Sequence, residues 1–380
     1  MSNQDTLGFP IPLASLETYQ AWALNYDLTL ERRFTRWQEI FPPGSFFDRS
    51  RILQRFIQKG IPPQRRPEVW LAVSGAAKLM SENVDLYDKL CSAETPLSQA
   101  VENQITCDLP RTFPENQMFQ SLAVDSLKRI LTAAARYLED VGYCQGMNII
   151  TGQLLLAFAR ANNGNTCSKT IILKASDFVS SPSFKNLKTI LFIVFFSFFF
   201  HRQNFDTERK IFFLLLVIVQ NILADYFTPQ MSGLIRDMNV VTKLLANRDR
   251  ALTRHLQRQH LPLGAVISRW LVTGLANCLP NETVFRIWDG MFYDGAKVVI
   301  GAVLNLIILH RQRLLSTHDP SSTVLAFNSV TEMSPITLDC HAFAASLYSN
   351  NFVKLIGRPK SHVSRNTLKQ LRETTEAVVA

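Results

Sequence analysis

The sequence predicts an all-α protein, and three observations predict it. Apolar residues recur at i, i+3, i+4 and i+7 in several separate stretches, which is the period of a helix face. No stretch sustains the alternation of apolar and polar residues that marks a half-buried strand. No rhythm of short strands between helices is present, which argues against parallel α/β folds. The chain has 380 residues, 47% of them hydrophobic and 19% charged, so a sizeable core is possible and wholesale disorder is excluded. Length alone allows two or three domains or one large helical unit.

Residues 1–50 form an N-terminal lead, partly helical, that closes on the turn signal Phe41-Pro42-Pro43-Gly44. Ile52, Leu53, Phe56 and Ile57 predict a helix from Arg51 that stops at Gly60, ahead of Pro62-Pro63. Pro67 and Glu68 suit the first turn of the next helix, with Trp70, Val73 and Ala77 on one face. Leu127, Ile130, Leu131, Ala134 and Leu138 form a third stripe. A helix begins near Met147 and runs through Leu156, with Asn148 placed to cap it. Val284, Ile287, Trp288, Met291 and Phe292 form another stripe, and Val303 to Leu315 reads as a mostly apolar, buried helix. Residues 51–315 are therefore read as one domain, and 316–380 as a partly helical C-terminal extension.

One block interrupts this pattern. Residues 161–210 hold 9 of the 26 phenylalanines, and seven basic against three acidic residues. No amphipathic stripe spans the block, so it reads as an atypical insert. A second reading is genetic. Phe codons are pyrimidine-rich, and a Phe/Ser/Ile run before His-Arg-Gln matches a translated intron end. Ile190 to Phe200 and Ile211 to Val219 are apolar, but each falls short of the ~18 residues of a membrane span.

The net charge is +9, which raises nucleic acid, an acidic membrane surface or an acidic protein as partners. No basic stripe with interleaved aromatics appears, so nucleic acid is not expected. The six cysteines form no CxxC pair and the seven histidines no ligand spacing, so neither a zinc site nor a disulfide framework is expected. The start MSNQDTLGFPIP has no basic segment before an apolar run, and a cytoplasmic protein is expected. No GxxxxGK[ST], HExxH or GxSxG string is present.

Two strings carry chemistry. In the first, Ile105 to Pro114, Asp108 and Arg111 stand three apart, so the carboxylate can hold the guanidinium on one turn. Pro110 and Pro114 stiffen the backbone on both sides. A presented arginine suits phosphate, because its planar fork is always charged and binds oxygens bidentately. A surface ion pair at a helix end explains the string equally. In the second, Gly142 and Gly146 bracket Tyr143-Cys144-Gln145 and permit a sharp backbone path. A primary amide at Gln145 can both accept from a water and donate to a phosphate oxygen. A polar loop residue bonded to backbone is the plain alternative.

Together the strings resemble the marks of the TBC domain family of Rab GTPase-activating proteins, I-x-x-D-x-x-R and Y-x-Q. Gly60-Ile61-Pro62 with Arg66 and Trp70 resembles the family's opening. Asp225-Tyr226-Phe227, Ser268-Arg269-Trp270, Leu279-Pro280 and Arg286-Ile287-Trp288-Asp289 resemble its later motifs. The likeness runs from Phe56 to Leu315, broken by the insert, and its flanks are similar to the growth-hormone-regulated TBC subgroup.

The resemblance implies a two-lobed helical fold and a GTP-bound Rab as partner. Arg111 and Gln145 would be the arginine and glutamine fingers supplied in trans, making the protein a GTPase activator rather than an enzyme. Asp108, Tyr143 and Arg66 would support them, Arg66 as a structural residue. Gly60, Pro62, Trp70, Gly142, Gly146, Trp270, Trp288 and Asp289 would be structural motif residues. No cofactor is implied, since the GTPase carries GTP and Mg²⁺. Membrane contact would be indirect, through the lipidated Rab, leaving the protein cytoplasmic or peripheral on endomembranes. Two departures stand out: Leu138-Glu139 replaces Asn-Pro, and Leu271 replaces the usual Phe. The insert, placed just after the helix that follows Gln145, raises the alternative of a catalytically weak scaffold that binds a Rab without activating it.

Overall fold

A computed structural model describes residues 4–93, 96–162, 205–329 and 365–379. Among these residues there is no strand; one isolated bridge joins Gln4 and Pro10. The lead holds a long helix, α1 (Leu16–Ile40), which ends where the Pro-Pro-Gly turn begins. The Ser50 hydroxyl caps α2 (Arg51–Lys59) by accepting from Leu53 N. Gly60 ends α2 at φ 117, a left-handed value that favours glycine. A Cβ there would lie 2.4 Å from Arg33 Nη1.

The next helices are α3 (Arg66–Ser74), α4 (Ala76–Glu82), α5 (Leu86–Ser92), α6 (Gln99–Asp108), α7 (Gln117–Leu122), α8 (Val124–Tyr137) and α9 (Met147–Asn162). Gly75, at φ 87, ends α3. The expected Trp70–Val73–Ala77 face is therefore split, and Ala77 lies in α4. All five residues of the third stripe are buried on or just beyond α8.

Helix α10 (205–217) runs into a π turn at Ile218–Ile222. The second lobe follows with α11 (Ser232–Arg248), α12 (Arg250–Arg258), α13 (Leu263–Val272), α14 (Asn281–Asp294), α15 (Lys297–Leu309), α16 (Arg311–Leu315) and α17 (Pro320–Ser329). The expected Val303–Leu315 helix is broken at His310 and begins earlier, at Lys297. Beyond 364, α18 (Arg365–Val379) packs on α11. Arg372 Nε donates to the buried Asp237 at 2.8 Å, and Tyr226 OH donates to the same carboxylate at 2.8 Å.

The two lobes share one continuous core and meet along α14, which packs against α2 and α3 on one side and α15 on the other. Every residue of α14 from Glu282 to Asp294 is buried, where the sequence indicated a single stripe. Asp289 is the centre of this joint. It accepts from Ile61 N at 3.1 Å, Arg66 Nε at 3.2 Å, Trp70 Nε1 at 3.0 Å and Arg286 Nη1 at 2.9 Å. Two turns away on the same helix, Glu282 accepts from Tyr26 OH at 3.0 Å and from Arg66 and Arg160 at 3.2 Å each. Burial works against ionisation of Glu282, but the charges of Arg66 and Arg160 outweigh it and hold its carboxyl below the usual range. The lead is tied to the same joint through Trp37 Nε1, which donates to Gly60 O at 2.9 Å.

Both ends of the 161–210 block lie in helices. Ala161 and Asn162 finish α9, and residues 205–210 begin α10. Glu208 is buried and accepts from Tyr87 OH at 2.9 Å, Ser126 Oγ at 2.6 Å and Arg129 Nη2 at 2.6 Å. Those bonds anchor 205–210 in the first lobe. The apolar run 211–219 is buried throughout, and no described helix is long and apolar enough to cross a membrane. Residues 163–204, with the Phe-rich run and its genetic reading, lie outside the described residues.

Candidate functional site

The two singled-out strings come together between α6 and α9. Helix α6 ends at Asp108 because Pro110 has no N–H to continue it. Arg111 N then donates to Asp108 O at 3.2 Å, and Thr112 Oγ1 donates to the same carbonyl at 2.8 Å. The loop turns sharply at Phe113, whose φ of 53 is strained for a residue with a Cβ. Such strain costs on the order of 1–3 kcal/mol and persists only under packing. Phe9 of the lead and Phe119 of α7 supply it, each meeting the Phe113 ring edge-on at 5.3 Å. Asn116 Nδ2 donates to Leu7 O at 2.8 Å, fixing the lead beside this loop.

The second loop begins after α8. Leu138 O accepts from Val141 N at 2.9 Å and Gly142 N at 2.6 Å, so backbone alone closes the turn that lacks the family's Asn-Pro. Gly142 and Gly146 adopt φ of 61 and 107, which explains their place on either side of Tyr-Cys-Gln.

Two buried bonds link the loops. Tyr143 OH donates to Asp108 Oδ2 at 2.8 Å. Asn148 Nδ2 donates to Thr112 Oγ1 at 2.8 Å, while Asn148 Oδ1 accepts from Gly146 N at 3.1 Å. Asn148 thus lies inside the first turn of α9 and bonds backward and across, rather than capping the helix as its position implied. Close approach also matters: a Cβ on Gly152 would lie 2.8 Å from Phe113 Cε2 and 3.0 Å from Thr112 Cγ2.

On this rigid base stand two exposed groups. The Arg111 side chain is 72% exposed, with Nη1 3.8 Å from Asp108 Oδ1. At that distance and exposure the pair orients the guanidinium only loosely. Gln145 is exposed, and its side chain carries no hydrogen bond among the described residues. Burial, and then the bond to Asp108, pushes the Tyr143 phenol well up, so it remains a donor. Burial and the Asp108 charge also raise the Cys144 thiol, which argues against thiolate chemistry there. No cluster among the described residues has metal-ligand geometry. The arrangement presents one exposed positive fork and one exposed amide on two fixed loops to a ligand brought from outside.

Asp108, Arg111, Gly142, Tyr143, Gln145 and Gly146 are thus brought together. Gly60, Pro62, Arg66, Trp70, Trp288 and Asp289 lie instead in and around the joint between the lobes; the Arg66 bonds run to Asp289 and Glu282 and not to the two loops. Trp270 is buried in the second lobe against Phe327. Thr112, Asn148, Phe9 and Gly152 complete the site without having been singled out for it. Tyr143→Phe removes a bond to a buried carboxylate and is expected to lower unfolding free energy by about 1–3 kcal/mol in urea titrations.

A profile of the Rab-GTPase-TBC domain matches residues 63–315. The chain belongs to this family. Growth hormone-regulated TBC protein 1 of Homo sapiens is 30% identical over 363 residues, 94% of this chain and 90% of that protein. Growth hormone-regulated TBC protein 1-A of Danio rerio is 30% identical over 365 residues, 95% and 86% of the two chains. Among solved structures, the Chlamydomonas flagellar RabGAP TBC domain superposes with a TM-score of 0.67 at 23% identity, covering 90% of this chain and 99% of that one. The Ypt/Rab-GAP domain of GYP1P gives 0.64 at 19%, covering 84% and 99%. These likenesses agree with the helical TBC fold, which shows no strand among the described residues. The site loops, residues 105–114 and 141–148, fall inside the matched TBC segment.

Proposed function

We propose that this TBC domain accelerates GTP hydrolysis by a Rab-family GTPase and so acts in vesicle trafficking. Arg111 reaches the GTP of the bound partner and neutralises charge developing between the β- and γ-phosphates. Gln145 orients the attacking water, its carbonyl accepting from the water and its amide donating to a phosphate oxygen. GTP and Mg²⁺ come with the partner. An arginine finger in trans is worth ~10³–10⁵ in rate. That is roughly 4–7 kcal/mol of transition-state stabilisation.

One observation carries this reading: two exposed polar side chains without tight partners stand on loops stitched together by the buried Tyr143–Asp108 and Asn148–Thr112 bonds. Such a base holds the two loops in register before the partner arrives, and displacement of ~1 Å can cost ~10²-fold. Asp108 and Tyr143 act as positioning residues. The alternative of a non-activating scaffold rests on the insert, whose residues 163–204 lie outside the described structure.

The test is Gln145→Ala under single-turnover conditions. Loss of one transition-state donor is expected to slow stimulated hydrolysis by about 10²–10³-fold. Affinity for the GTP-bound Rab should change little, because the amide works mainly in the transition state. Equal losses of rate and affinity would make Gln145 an interface residue instead.

A further inference from the structure

Much of the excess positive charge is gathered in one place on the second lobe. Residues 248–260 and 310–316 together hold six arginines against one aspartate. That balance of +5 sits within a chain of net charge +9. The aspartate, Asp249, is already engaged: its carboxylate accepts from Leu252 N at 2.9 Å and pairs with Arg311. The two segments are neighbours, because α12 packs against α16 as well as α11.

Helix α12 buries Leu252 and Leu256 and turns Arg250, Arg254 and Arg258 outward. At 3.6 residues per turn these three fall on one face, over a length of about 12 Å. Arg313 of the neighbouring α16 is also exposed. None of these four meets a carboxylate among the described residues. Arg254 Nε donates only to the Arg250 carbonyl, at 3.2 Å.

We propose that the outward face of α12 docks the protein directly on an anionic lipid bilayer. The face is strongly charged but carries no exposed large apolar side chain; those lie elsewhere, at residues such as Leu24, Phe46 and Ile52. Protein interfaces are centred on buried aromatic or apolar anchors, which this face lacks. Single-stranded nucleic acid needs stacking platforms, which are also missing. Helix α12 packs on α11 and α16 through its buried face, which leaves the arginine face turned to the outside. Arginine forks match phosphate and carboxylate oxygens of lipid headgroups, and each basic residue near an anionic leaflet strengthens binding about fivefold. Direct contact of this kind adds to the indirect, GTPase-mediated contact that the family resemblance implies, and does not depend on the catalytic reading.

The test is sedimentation of the full chain with phosphatidylcholine vesicles, with and without phosphatidylserine, at low and high salt. No GTPase is present. The wild type is expected to bind only the anionic vesicles and to release them in high salt. The variant Arg250→Gln/Arg254→Gln/Arg258→Gln is expected to bind about a hundredfold more weakly. Lysines at the same three positions should largely retain binding, with an unchanged melting temperature. Arg51→Gln/Arg55→Gln/Lys59→Gln removes equal charge from the exposed face of α2 and should leave binding intact. Equal weakening by the two glutamine triples would show bulk charge and overturn the proposal. So would a wild type indifferent to phosphatidylserine, failure of the lysine variant to bind, or binding to a random duplex without binding to vesicles.

Discussion

Replacing Arg111 by alanine is expected to lower Rab-stimulated GTP hydrolysis by about 10³-fold or more while leaving the fold intact. The two halves of that expectation come from different features. The rate is expected to fall because, in the proposed function, this guanidinium is the positive charge offered to the transferring phosphoryl group. Stability is retained because the side chain is 72% exposed and, among the described residues, its one ion pair is with Asp108, at 3.8 Å. Exposed pairs of that kind are worth about 0–1 kcal/mol. Arg111→Lys should recover little, since an ammonium on a flexible stem cannot reproduce the bidentate fork. The check is a single-turnover rate beside a urea denaturation curve for each variant. A rate within a few-fold of wild type would remove Arg111 from the reaction.

The largest loss of stability is expected from Asp289→Ala. This fully buried carboxylate accepts four hydrogen bonds, from Ile61, Arg66, Trp70 and Arg286. Removing it leaves the Arg286 guanidinium buried without its carboxylate, and Arg66 with Glu282 alone. Breaking a buried pair costs about 3–5 kcal/mol, because an uncompensated charge remains. Native stability is itself only about 5–15 kcal/mol, so the variant should be largely insoluble or show a greatly lowered urea midpoint. Asp289→Asn keeps an acceptor and should lose less. A midpoint near wild type for Asp289→Ala would mean that the joint between α2, α3 and α14 is not what holds the lobes together.

The sequence was informative where the chemistry is local. Asp108 and Arg111 are three apart, and Tyr143 and Gln145 two apart, so short strings were enough to mark both loops. Helix α2 was readable at both ends because its apolar stripe starts just after Arg51 and Gly60 stops it, whereas the Ser50 cap emerges only in the structure. What stayed hidden depends on distant pairings. Arg66 and Asp289 are separated by 223 positions, and spacing cannot show that they meet. The part played by Phe9 in supporting Phe113 is hidden for the same reason. Asn148 was misread because its local position fits a cap, whereas its amide is used across the loops to Thr112. Glu208 lies in a block of anomalous composition, yet its buried bonds to Tyr87 and Arg129 give it a place in the first lobe.

Single-turnover hydrolysis by a panel of GTP-loaded Rab proteins, with and without the 380-residue chain, tests the central claim most directly. At least one Rab is predicted to hydrolyse GTP ~10³–10⁵-fold faster in its presence, and to lose that acceleration with Arg111→Ala. Intrinsic rates unchanged across the panel, or equal acceleration by wild type and Arg111→Ala, would contradict it.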